Sequence, residues 1–250
     1  VLSCGGQMAC LAAQGTPVHV VTVFAGDAPA PGTPLSDFAA FLHAVWDAGA
    51  NPFAVRREED RQALRLLGAT WTHLPHQDAI YRRAADGGWL YPDHPAVFGP
   101  VAPGEAEAFP RALAQEVAPW CGAPGKVVLH APLGIGGHVD HRLVREAAML
   151  LAEAGHPLRF YEDFPYSDES GELEAALADL PPLRPEVVAY GEAAFQTRLA
   201  AIACYRSQMG IVFGGEERMR EVTRTHAAAL AQAAGAPHPY AEREWVRGQG

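Results

Sequence analysis

Apolar residues fall in short bursts along the chain, separated by stretches rich in glycine and proline. The bursts follow two periods. Val1, Cys4, Met8 and Leu11 recur at helical spacing, which predicts a helix over VLSCGGQMACLAAQG that stops at Gly15. Gly5 and Gly6 weaken an isolated helix but permit close packing against a sheet. VHVVTVFAG (Val18–Gly26) is a short valine-rich run, the pattern of a strand buried on both faces. TWTHLP (Thr70–Pro75), KVVLHAPL (Lys126–Leu133), LRFYEDFPY (Leu158–Tyr166) and PEVVAYG (Pro185–Gly191) read as further strands. Helical patterns cover RREEDRQALRLLGA (Arg56–Ala69), residues 105–119, HRLVREAAMLLAEAG up to Gly155, FQTRLAAIACYRSQ (Phe195–Gln208) and residues 216–234. A shorter helix is predicted around Phe38–Trp46. Residues 27–54 and 76–104 read as long excursions, of the kind that shape ligand sites.

Strands alternating with helices predict an α/β fold with a mostly parallel sheet and helices on both faces. Right-handed crossovers then gather the strand C-termini on one edge, where open α/β folds bind ligands. VFAG, THLP and HAPLGIGGHVDH end there. A sheet of this kind normally opens on a central strand, whereas this chain opens on a helix, so the first strand is expected to be missing from it.

Length and charge narrow the function. A chain of 250 residues can bury a sizeable core, and one domain over 1–250 is expected. The net charge is −10, Lys126 is the only lysine and no basic block is present, which argues against nucleic acid as a partner. No apolar run approaches membrane-spanning length, so no membrane partner is expected. Cys4, Cys10, Cys121 and Cys204 show no C-x-x-C spacing, and a reducing, cytoplasmic location is the expectation.

The densest chemistry lies in GIGGHVDHRLV (Gly134–Val144), where His138, Asp140 and His141 fall within four residues. Three readings compete. A dinucleotide fingerprint would need a small residue where Val139 stands, and no acidic partner follows on a later strand. A structural reading makes Asp140 a helix N-cap but accounts for one residue of three. A metal-assisted or acid–base centre uses all three, since histidines three apart on a helical turn share a face. A catalytic zinc takes three protein ligands and an open position, so H-x-D-H cannot complete the site alone.

With these residues assembled, the chain resembles the PIG-L/LmbE-like family of zinc-dependent N-deacetylases. GGHVDH is similar to the family's H-P-D-H motif, and RREEDRQALRLLGA to its R-x-x-E helix ending in LGA. LPHQDAIYR, YEDFPYS, AIACYRSQ and EREW (Glu242–Trp245) are also similar, so the resemblance spans nearly the whole chain. It implies a Rossmann-like fold and zinc-dependent removal of an N-acetyl group from an amino sugar or N-acetylglucosamine-type conjugate. It makes His141 a zinc ligand, His138 the acid that faces the substrate carbonyl and Asp140 its orienter. Arg56 and Asp78 fall where the family holds sugar hydroxyls. Gly136 stands where some members have a tyrosine that assists the oxyanion, and Arg198 where many have lysine. The family's H-x-D-D motif, which supplies a histidine and an aspartate to zinc and an aspartate as base, is expected upstream of Val1. On that reading the chain as given binds zinc poorly and is inactive. The partner implied is a small N-acetylated sugar, with a homo-oligomer also open. The alternative is a non-catalytic sugar-binding or scaffold protein that retains the fold.

Overall fold

A computed structural model describes residues 1–168 and 171–248. The elements run α1 (Gly5–Ala13), β1 (His19–Thr22), α2 (Asp37–Trp46), α3 (Pro52–Leu66), β2 (Thr70–His73), α4 (His94–Val97), α5 (Pro103–Cys121), β3 (Leu129–Pro132), α6 (Val139–Glu153), β4 (Leu158–Tyr161), α7 (Glu172–Ala178), β5 (Leu183–Tyr190), α8 (Glu192–Ile202), α9 (Arg206–Phe213), α10 (Glu216–Ala233) and β6 (Tyr240–Arg247). The fold is mixed α/β. The chain forms two compact units, Val1–Asp93 with Val187–Glu242, and His94–Glu186 with Arg243–Gly250.

In the first unit β1 and β2 pair in parallel, His19 opposite Thr70 and Thr22 opposite His73. Met8, Ala63, Leu64, Leu67, Ala69 and Ala201 form its core, with Val18, Val20 and Trp71 packed against them. The paired glycines of α1 do pack closely, Gly6 against Tyr190 at the end of β5 and Gly5 against α8. A Cβ at Gly6 would fall inside the Tyr190 ring, and one at Gly5 would lie 3.0 Å from Cγ of Arg198 on α8.

The start of α1 carries neither a side-chain cap nor an acidic residue in its first turn. Its exposed N–H groups are met from far along the sequence. The Glu242 carboxylate accepts from Gly6 N and Gln7 N, both at 2.9 Å, which satisfies donors that every helix start leaves over. Arg198 completes the arrangement. Its Nε lies 3.2 Å from Glu242 Oε1, and its Nη1 donates to Tyr190 Oη at 2.8 Å. Arg198 and Glu242 are 1% and 4% exposed, so their charges face each other and not solvent.

In the second unit β3 and β4 pair in parallel and β4 pairs antiparallel with β6. The sheet that contains them has the order β3-β4-β6-β5. Ala131, Leu133, Ile135, Ala148, Phe160 and Ala176 form the core, with Leu158, Leu173, Leu177 and Trp245 against it. Among the described residues the strands therefore lie in two sheets, and the β4–β6 pair is antiparallel. The sequence pattern had pointed to a single, mostly parallel sheet.

Element positions otherwise follow the hydrophobic pattern, with three differences. The helix expected over Phe195–Gln208 breaks at Ala203–Tyr205 into α8 and α9. At that break the Tyr205 hydroxyl donates to Asp60 Oδ1 at 2.5 Å, a long-range contact that periodicity does not carry. EREW lies within a strand, β6, whose burial alternates from Glu242 to Arg247, but glutamates hold the buried positions of EREW, so no apolar alternation marks it. The short helices α4 and α7 had no counterpart in the sequence reading.

Candidate active site

The GIGG turn joins β3 to α6. Gly134, Gly136 and Gly137 all adopt positive φ (85°, 81° and 75°), a region that side chains rarely occupy. Space is closed there as well. A Cβ at Gly137 would lie 3.2 Å from the Phe98 carbonyl oxygen, and one at Gly136 3.3 Å from the Tyr166 ring. Gly136 thus leaves room for Tyr166 from a neighbouring segment.

The turn wraps a carboxylate of its own chain. Asp163, just past β4, is 1% exposed, and its Oδ2 accepts from Gly134 N at 2.7 Å and Ile135 N at 2.9 Å. Successive backbone N–H groups in such a turn make an anion-binding concavity. Here an internal anion fills it, and those donors are engaged. This gives a structural reason why the superficial dinucleotide pattern does not serve a phosphate.

The other oxygen of Asp163 holds His141. His141 Nδ1 is 2.5 Å from Asp163 Oδ1, and the imidazole is about two-fifths exposed while the carboxylate is fully buried. A carboxylate on one ring nitrogen fixes the ring and its tautomer and directs the other nitrogen, Nε2, to a ligand. Asp163 was not singled out by the sequence. The only signal was its place in YEDFPYS, immediately after a strand end.

His138 is the N-cap of α6, and its Nδ1 accepts from the backbone N–H of Asp140 at 3.2 Å. The cap is therefore His138, not Asp140. Asp140 sits in the first turn, where its negative charge complements the helix dipole, and is 5% exposed. With Nδ1 accepting, the ring is the tautomer that carries its proton on Nε2. The rings of His138 and His141 lie side by side, centroids 5.4 Å apart. Phe98 meets His138 edge to face at 5.2 Å and stacks on His94 at 4.5 Å, while Tyr166 lies 6.2 Å away. His138 is thus bordered by an aromatic group drawn from the 76–104 excursion and from the chain after β4.

Arg56 and Asp78 lie in the first unit and are brought to each other. Arg56 Nη1 is 3.9 Å from Asp78 Oδ2, and Nη2 donates to Gln208 Oε1 at 2.6 Å. The guanidinium carbon lies 3.8 Å from the Trp46 ring centroid and 4.7 Å from that of Phe53. Arg56 is thus an enclosed, stacked cation and not the solvated helix-start charge that exposed arginines usually are. Its Nε is buried and makes no hydrogen bond among the described residues. Burial pulls the guanidinium down from its ordinary value, and the Asp78 carboxylate opposes that pull most strongly. Asp78 also caps the turn Ala79–Tyr81 through Ile80 N. Nearby, Tyr81 Oη bonds His43 Nε2. Burial raises the Tyr81 phenol, and burial followed by the Arg56 charge lowers His43.

Among the described residues no group of three His, Cys, Asp or Glu side chains could hold a metal ion. His141, with Asp163 behind it, has the chemistry of one ligand and not of a complete set.

The profile of the family described as PIG-L, GlcNAc-PI de-N-acetylase, matches residues 1–152. The chain belongs to the PIG-L family. Among its relatives, 2'-N-acetylparomamine deacetylase of Streptomyces fradiae is 32% identical, covering 98% of this chain and 84% of that protein. The enzyme of the same name from Niallia circulans is 30% identical over 86% of this chain and 79% of its own length. Of solved structures, the zinc-inhibited form of teicoplanin deacetylase Orf2 superposes with a TM-score of 0.83 at 28% identity, covering 99% of this chain and 94% of that one. The A40926 pseudoaglycone deacetylase Dbv21 gives 0.74 at 31% identity, covering 98% and 90%. The relatives named here are thus deacetylases of acetylated aminoglycosides or glycopeptide antibiotics.

Proposed function

We propose that this PIG-L protein is a zinc-dependent N-deacetylase that removes the acetyl group from an N-acetylglucosaminyl unit of an aminoglycoside-type conjugate. The observation that carries the reading is the Asp163–His141 pair beside His138, a carboxylate-oriented imidazole next to a second imidazole on one helix start. The paromamine-type relatives and the net charge of −10 favour a cationic acceptor over a neutral or acidic one.

In this reading His141 offers Nε2 to zinc, which when bound polarises the amide carbonyl and activates water. An H-x-D-D motif of the kind the family carries would supply the remaining ligands and the general base. His138, protonated on both ring nitrogens, would donate from Nε2 to the developing oxyanion and pass that proton to the leaving amine, returning to the neutral imidazole. Asp140 orients the resting His138 ring through its backbone N–H bond to Nδ1. An imidazolium at His138 would have to release that bond. Arg56 and Asp78 hold sugar hydroxyls, with Gln208 and Trp46 fixing the Arg56 fork.

The test compares the 250-residue chain with a protein that carries H-x-D-D before it, each incubated with zinc and 2'-N-acetylparomamine. Acetate release by the longer protein alone is expected. Turnover by neither, with the sugar still bound, would favour the sugar-binding alternative.

Two measurements bear on the substrate. In the active protein, Arg56→Lys keeps the charge but loses the fork and the stacking, so KM for the sugar should rise about tenfold with kcat nearly unchanged. An unchanged KM removes Arg56 from substrate binding. For a cationic substrate, kcat/KM should fall about threefold or more between about 0.01 M and 0.15 M salt, as screening shortens the reach of the protein's field. A flat salt profile argues for an uncharged acceptor.

A further inference from the structure

We propose that Glu162 is a positioning residue for His141, acting through its neighbour Asp163 and braced by the C-terminal strand β6. Its functional meaning rests on the reading of His141 as a metal ligand.

Glu162 and Asp163 are adjacent carboxylates, 4% and 1% exposed. Ordinary surface charge does not explain either one, because a buried carboxylate is costly unless it is paired or hydrogen-bonded. They are satisfied by different parts of the unit. Asp163 takes Gly134 N, Ile135 N and His141 Nδ1. Glu162 takes Arg243 and Trp245. Its Oε1 accepts from Arg243 Nε at 2.5 Å and from Trp245 Nε1 at 2.8 Å, and its Oε2 from Arg243 Nη2 at 3.2 Å.

The sheet register explains why β6 can do this. Phe160 pairs with Trp245 and Tyr161 with Glu244, so β6 runs alongside β4 up to the residue before Glu162. The chain then turns tightly, Phe164 N donating to Glu162 O at 2.9 Å. Three side-chain donors from β6 fasten Glu162, and two backbone N–H groups and an imidazole fasten Asp163. The backbone between these two carboxylates has little freedom to rotate, and the direction of the Asp163 carboxylate sets the His141 ring. Glu162 touches no reacting group and acts only through this linkage. It also gives a role to EREW, a segment with no catalytic side chain of its own in the proposed mechanism.

The test is nitrogen-15 NMR of the histidine rings in the metal-free 250-residue protein, which reads tautomer and ring N–H exchange directly. Wild type should show His141 as the Nδ1–H tautomer with a slowly exchanging proton. Asp163→Ala should release that proton. Glu162→Gln and Trp245→Phe should each speed its exchange about tenfold, the effect of loosening one hydrogen bond. Glu186→Gln, which weakens an ion pair with Arg159 in the same unit, is the comparison for a purely structural change and should leave His141 untouched. If Glu162→Gln does not fold, Trp245→Phe carries the test, since it keeps the Arg243–Glu162 pair. Unchanged exchange in the Glu162 and Trp245 variants, with Asp163→Ala still active on His141, overturns this proposal alone. No effect of Asp163→Ala on His141 overturns the metal-ligand reading as well.

Discussion

Glu242→Ala is expected to destabilise the protein by about 3–5 kcal/mol, the loss typical when one member of a buried ion pair is removed. The size follows from what is left behind. Arg198, 1% exposed, would lose the carboxylate that lies 3.2 Å from its Nε. Gly6 N and Gln7 N at the start of α1 would lose their acceptor at the same time. The bonds of Arg198 to Tyr190 Oη and to the Leu2 carbonyl, at 3.1 Å from Nε, are to neutral oxygens and do not replace that carboxylate. For a chain of this size the melting temperature should drop by roughly 6–20 °C. Urea unfolding followed by circular dichroism gives the free energy. The double variant Arg198→Met with Glu242→Leu should recover much of the loss, because it removes both charges and fills the space with apolar groups. A loss of under about 1 kcal/mol for Glu242→Ala, the scale of a surface pair, would show that water reaches the pair.

The second large effect is on catalysis. In the active protein, His138→Ala should lower kcat by about 100- to 1000-fold, equivalent to about 2.7–4 kcal/mol, the scale for removing one oxyanion donor. KM should change little, since the interaction forms in the transition state. The hydrogen bond from Asp140 N to His138 Nδ1 leaves Nε2 as the donating nitrogen, so His138→Gln should retain part of the rate by presenting an amide N–H. Steady-state kinetics on 2'-N-acetylparomamine decides this. A near-wild-type kcat for His138→Ala would take the residue out of the mechanism.

What was legible in the sequence was local. The helical stripe of Val1, Cys4, Met8 and Leu11 and the valine run after it gave α1 and β1, because burial of one face leaves a period in the residue types. His138, Asp140 and His141 could be seen together because four residues of one turn hold them. Arg56 and Asp78 were placed by resemblance alone, and the structure adds the Trp46, Phe53 and Gln208 contacts that make Arg56 an enclosed cation.

What escaped the sequence depends on distant strands meeting. Asp163 reaches His141 because β4 lies beside β3, and no spacing within YEDFPYS announces that neighbour. The break between α8 and α9 is set by Tyr205 reaching Asp60 on α3, 145 residues away. β6 was missed as a strand for a different reason. Its burial does alternate from Glu242 to Arg247, but the buried positions Glu242 and Glu244 are charged and received by partners elsewhere, so the residue types show no apolar alternation.

The fit of Gly6 under the Tyr190 ring has a mechanical side. A one-residue slide along the α1 axis, about 1.5 Å, combined with the turn of about 100° that a helix makes per residue, would bring a different residue to that ring. Gln7 would not fit where Gly6 does, and Glu242 would no longer face the first free N–H groups. The aromatic ring works as a keyway and the glycine as the matching slot, so α1 has one axial seat and one rotational setting. The helix can leave that seat by undocking, but it cannot creep along it.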